Sequence, residues 1–89
     1  MATKASIITA IDARVGSTEC KIWRIGLTHD PATRKQEWFK TESVVFWQQW
    51  QADSLSDAQD IEAHFINKDM KGGTGGDLSR NKTVYVYVF

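Results

Sequence analysis

Cysteine, proline and net charge are all scarce in this 89-residue sequence. Cys20 is the only cysteine, so neither an intrachain disulfide nor a multi-cysteine zinc site can form. A reducing compartment follows, and the cytoplasm is the expected location. Pro31 is the only proline, and no linker is long enough to divide the chain, so residues 1–89 read as a single domain. Eleven basic residues balance eleven acidic ones. There is no global positive excess to drive nucleic-acid binding, and any such site must be a local patch. No apolar run reaches the length of a spanning helix, so no membrane partner is expected. The opening "MATKASIITAIDARVG" has a short, interrupted apolar stretch that reads as a strand rather than a signal peptide.

What is present has the texture of a small α+β domain. "ASIITAID" is rich in β-branched residues and predicts a strand over Ala5–Asp12. "CKIWRIGLT" predicts a second over Cys20–Thr28, with Ile25 and Leu27 on one face and Arg24 and Gly26 on the other. The short loop between them suggests a hairpin. Asp30 is a good N-cap with Pro31 in the first turn, so a helix of two to three turns should follow. "SVVFWQQWQ" predicts a strand over Ser43–Gln51 that puts Trp47 and Trp50 on opposite faces. Ser54, with Asp57 three residues on, opens a second helix whose Leu55, Ala58, Ile61 and Phe65 recur at helical spacing. "KTVYVYVF" is the last strand. The predicted order is β-β-α-β-α-β: a small, mainly antiparallel sheet flanked by two helices.

"WRIGLTHDPATRKQEW" resembles the second strand and first helix of the GIY-YIG nuclease superfamily, notably its small phage and bacterial members. There a strand ending in Ile-Gly-Ile/Leu-Thr leads into Asp/Asn-Pro and an arginine. "ADSLSDAQDIEAHF" resembles the same group's acidic helix, and the likeness spans roughly residues 5 to 68. The resemblance implies an antiparallel sheet with flanking helices and metal-dependent cleavage of a DNA phosphodiester. Arg34 would then contact phosphate and Glu62 would hold magnesium or manganese. The chemistry is coherent, because a guanidinium forks onto two phosphate oxygens and a hard carboxylate suits magnesium. The chain departs from the family in having no tyrosine near either motif. His29, beside the helix entry, is the remaining candidate for a general base. Arg34 and Glu62 have a second reading as an ion pair between two helices on one sheet face.

Further candidates are less tied to the resemblance. Arg24, Lys35, Lys71 and Arg80 are the candidate nucleic-acid contacts, with Lys40, Lys68 and Lys82 available to the same patch or scattered in solvent. Of the four tryptophans, one left exposed would be a stacking platform for a base or an anchor for a protein partner. The final strand places Val84, Val86 and Val88 opposite Tyr85, Tyr87 and Phe89. A free edge there would aggregate, so it is paired inside the sheet or shared with a second copy in a homodimer. Four glycines fall in "DMKGGTGGDLSRNKT". That stretch matches no phosphate-loop pattern and reads either as a connector or as an anion nest beside Lys71 and Arg80. Two functions follow: DNA or RNA binding with or without metal-dependent cleavage, and a non-catalytic accessory or inhibitor role through protein contacts.

Overall fold

The computed structural model describes residues 3–72, 78–79 and 81–89. Helix α1 spans Lys4–Val15, a 3₁₀ turn Cys20–Ile22, and strand β1 Arg24–Thr28. Helix α2 follows at Pro31–Phe39, β2 at Gln48–Gln51, α3 at Leu55–Ile66, β3 at Lys71–Gly72 and β4 at Tyr85–Val88. The fold is α+β, but the three α-helices and the mixed sheet among the described residues depart from the β-β-α-β-α-β order.

The largest departure is at the start. The stretch expected to be a strand is α1, capped by Thr3, whose hydroxyl accepts from the Ser6 N–H. Ile7, Ile11 and Val15 are all buried at four-residue spacing, so one helical stripe faces the core. The β-branched residues favour a strand locally, but that preference is worth a few tenths of a kcal/mol each and is outweighed by burying the stripe. The expected first hairpin is therefore absent. The second strand is also shorter than expected, because Cys20–Ile22 form the 3₁₀ turn. So is the third: Val45 and Phe46 lie in a turn and only Gln48–Gln51 pair.

The strand order is β2-β4-β1-β3. β4 runs antiparallel to both β1 and β2, while β3 pairs with β1 in parallel. β4 is thus interior, with a neighbour on each side, and cannot be shared edge-on with a second copy. Of the two expectations for this strand, pairing inside the sheet holds, and the homodimer shared through it is corrected.

The two helix caps read from the sequence are present. The Asp30 carboxylate accepts from the Thr33 N–H at 3.2 Å, and the Ser54 hydroxyl from the Asp57 N–H at 3.1 Å. α1 and α3 pack on one face of the sheet. There Ile7, Ile11, Ala58, Ile61 and Phe65 meet Ile25, Leu27, Val84, Val86 and Val88 in one aliphatic cluster. Trp50 packs against its edge.

Candidate nucleic-acid interface

Side chains alternate across a strand, so the residues between those core positions point the other way. Gly26 and Gln49 stand in register with Tyr87, and the backbones of Arg24 and Phe89 bond to each other at 2.8 and 3.1 Å. Arg24, Gln49, Tyr87 and Phe89 therefore share the face opposite α3. Helix α2 covers part of that face. Its Trp38 Nε1–H and Arg34 Nε–H both donate to the Tyr87 hydroxyl, at 2.9 and 3.3 Å.

This second face is built from rings and cations. Trp47 lies flat on Tyr87, with centroids 4.5 Å apart and planes 8° from parallel. Phe89 stacks beside Trp47 at 5.4 Å and tilts against Trp38 at the same distance. The guanidinium carbons of Arg24 and Arg34 sit 4.5 and 5.5 Å from the centre of the Trp38 ring. Cations so placed are drawn to the ring quadrupole. Tyr87 is fully buried, whereas Trp38, Trp47 and Phe89 are half-exposed.

The arginines are held in place. Arg24 donates to Glu42 at 3.1 Å and to the Gly72 carbonyl at 2.8 Å. Arg34 also reaches Glu37 at 3.4 Å. The Tyr87 hydroxyl, and more weakly Glu37, raise the Arg34 pKa above its ordinary value against the opposing effect of burial. Lys71 is in register with Arg24 and lines a shallow groove with it, Glu42 and Phe89. Lys35 lies on α2 beside a different groove, with Phe39, Lys40 and Val44. Arg24, Arg34 and Lys71 are thus gathered at one face. Lys68 is not: it pairs with Asp12 of α1 at 3.5 Å. Arg80 and the core of the glycine-rich stretch lie outside the described residues, and so does the anion nest expected there.

Glu62 lies elsewhere. It is half-buried on α3, one residue after Ile61 and three before Phe65, in the layer against the aliphatic face. Arg34 bonds to Tyr87 on the other face. The sheet separates the two, so neither the shared cleavage site nor the ion pair between helices forms. Among the described residues, no group of three or more His, Cys, Asp or Glu side chains gathers to hold a metal ion. Glu62, the ligand implied by the resemblance, therefore does not stand beside Arg34.

His29 is also committed. Its Nε2 accepts the Ser79 N–H at 2.9 Å, which places the ring proton on Nδ1, where it donates to the Thr83 carbonyl at 2.8 Å. The ring ties the entry of α2 to the approach to β4, and both nitrogens are occupied by backbone. This geometry lends no support to its reading as a general base.

The sequence reading missed the joining of Trp38, Trp47, Tyr87 and Phe89. The alternation in "VYVYVF" put Tyr87 and Phe89 on one face, but nothing local said that α2 would bring Trp38 to it. A cavity of about 690 Å³ lies apart from this face between Ser54, Gln59, Asn81 and Lys82, and of the candidate residues named above only Lys82 lines it. Among the described residues, no helix is long and apolar enough to cross a membrane. No family model, curated protein or solved structure matches this chain.

Proposed function

We propose that this chain is a nucleic-acid-binding domain, a degenerate GIY-YIG-like relative that binds DNA or RNA without cutting it. Its ligand is single-stranded, received on the face of Trp47, Tyr87 and Phe89, and its compartment is the cytoplasm. The observation that carries this is the Trp47 ring, stacked on Tyr87 and half-exposed, on a face where two arginines sit against Trp38. Every base has a π-face, so such a platform takes unpaired bases with little regard to sequence, and the cations follow the backbone. The resemblance lends support at one point. The arginine after "IGLTHDPAT" stands at this same face, which is where a phosphate would run. Cleavage draws no such support, because Glu62 is across the sheet.

The test is a titration of tryptophan fluorescence and anisotropy with a labelled oligothymidine and its duplex. Binding should favour the single strand and weaken steeply with salt. Trp47→Ala should lower affinity roughly tenfold to a hundredfold, matching about 1–3 kcal/mol per stacked base, and Arg34→Ala should flatten the salt dependence. If neither nucleic acid binds at low salt, the reading is wrong. Incubation of supercoiled DNA with magnesium or manganese tests the catalytic variant; nicking that disappears in Arg34→Ala and Glu62→Ala would overturn the non-catalytic part alone.

A second reading, binding of a protein partner as an accessory or inhibitor, is favoured by one observation. Ile22, Phe39, Val45 and Phe46 are each more than 60 % exposed. Ile22 and Phe46 line one groove with Trp23 and Phe89, and contiguous exposed apolar surface is a feature of contact sites.

A further inference from the structure

The outer strand of the sheet is a second surface with its own logic. β2 has β4 on one side and, among the described residues, no strand on the other. Backbone groups in an antiparallel ladder point alternately to the two sides. On β4, Phe89 exchanges bonds with Arg24 of β1, while the Val84 carbonyl accepts from Ala52 beyond the end of β2. Trp50 and Gln48 are in register with Val86 and Val88, so they share the parity of Ala52 and turn their backbone groups toward β4. Gln49 and Gln51 therefore turn their N–H and C=O groups outward.

Natural edges are guarded by shortness, charge, proline or a bulge, and of these β2, four residues long, has the first. "QQWQ" contains no charge and no proline. An isologous pair sets a strand against its own copy, where like charges would face each other; glutamine amides both donate and accept, so they are self-complementary. The outward-facing residues are two apart, which suits a twofold axis through the residue between them.

We infer that β2 pairs antiparallel with β2 of a second copy of this chain, about a twofold axis at Trp50. Gln49 of each copy then lies opposite Gln51 of the other and exchanges backbone bonds with it, giving about four across the axis. The two Trp50 side chains meet as the close, non-bonded pair at the centre. The axis runs perpendicular to the sheet, so both copies keep the same face up. Two four-stranded sheets become one continuous sheet, with both Trp47–Tyr87 stacks on one side of it. That last consequence extends the proposed function to a longer strand of nucleic acid; the pairing itself does not depend on it. A strand this short makes a small interface, and small interfaces associate weakly, on the order of 100 µM.

Sedimentation equilibrium without nucleic acid, from roughly 10 µM to roughly 1 mM, tests the pairing. The weight-average mass should climb from monomer toward dimer and stop there. Gln51→Pro removes an outward N–H and leaves the bonds to β4, so it should hold the protein at monomer mass with an unchanged circular-dichroism spectrum. Should that variant unfold, paired substitutions take its place. Gln49→Glu with Gln51→Glu sets like charges opposite each other and should abolish the dimer. Gln49→Glu with Gln51→Lys sets opposite charges together and should tighten it several-fold. Both keep an oxygen for the Trp47 Nε1–H, which now donates to Gln49 at 2.9 Å. The proposal is overturned by a wild type that stays monomeric throughout, by growth beyond the dimer, or by association that ignores these charges. An unrelated strand-forming peptide that pairs in place of the second copy would also overturn it.

Discussion

β4 separates two kinds of interior. Val84, Val86 and Val88 look toward α1 and α3, into an aliphatic cluster in which shape and volume are the main requirements. Tyr85, Tyr87 and Phe89 alternate with them and look toward α2. Tyr87 is as fully buried as Val86, but by other means: an indole laid flat on it, and a hydroxyl accepting from two donors. Aliphatic burial is non-directional, and its strength scales with the area removed from water. The aromatic face depends on angles and hydrogen bonds, and it leaves ring surface partly open. A face of the first kind holds the fold, and one of the second kind can hold the fold and still meet a ligand.

The comparison can be broken from either side. Phe65→Ala empties the centre of the aliphatic layer and should cost about 3–5 kcal/mol, read as a lowered urea midpoint. Against a total of about 5–15 kcal/mol for a domain, that is enough to populate the unfolded state. Tyr87→Phe leaves packing volume almost unchanged but strands the Trp38 and Arg34 donors. A loss of about 1–3 kcal/mol is expected, and pairing it with Trp38→Phe in a double-mutant cycle should reveal non-additive coupling. If Tyr87→Phe is silent, the second face is no more directional than the first. His29→Ala should loosen the approach to β4, by about 1 kcal/mol for the bonds lost, with faster amide exchange at Ser79 as the specific readout.

The smallest effect is one of acid. The Asp30 carboxyl is held below its ordinary pKa, first by the Thr33 N–H and then by the Thr33 hydroxyl. A lowered folded-state pKa gives stability that is complete above the unfolded value and disappears as pH falls through the folded one. Asn also caps helices well but does not titrate. Asp30→Asn should therefore leave neutral stability nearly unchanged and flatten the acid limb of the pH–stability curve below about pH 4.

The features legible in the sequence were those decided by near neighbours. The caps at Asp30 and Ser54, the Ala58–Ile61–Phe65 stripe, and the opposite facing of Trp47 and Trp50 each depend on spacings of a few residues. α1 was hidden because Ile7, Ile8 and Ile11 carry a local strand preference that only tertiary burial overrides. β3 was hidden because two residues at the head of a glycine-rich stretch give no periodicity at all. The separation of Arg34 from Glu62 was hidden for a different reason. Each sits on a correctly identified helix, but the side of the sheet to which a helix crosses is not a property of its own residues.

The strand that divides these faces also sets the order in which the molecule can assemble. β1 and β2 have no bond to each other; β4 lies between them and pairs with both. Thr28 waits for Tyr85, and Ile25 for Val88. Contacts so distant along the chain make folding slow relative to a helical bundle of the same size, because a long loop must close before any pairing is gained. Until β4 inserts, the inner edges of β1 and β2 are both open to other chains. Refolding at high concentration should therefore favour intermolecular pairing over the native sheet, and dilution should be the most effective remedy.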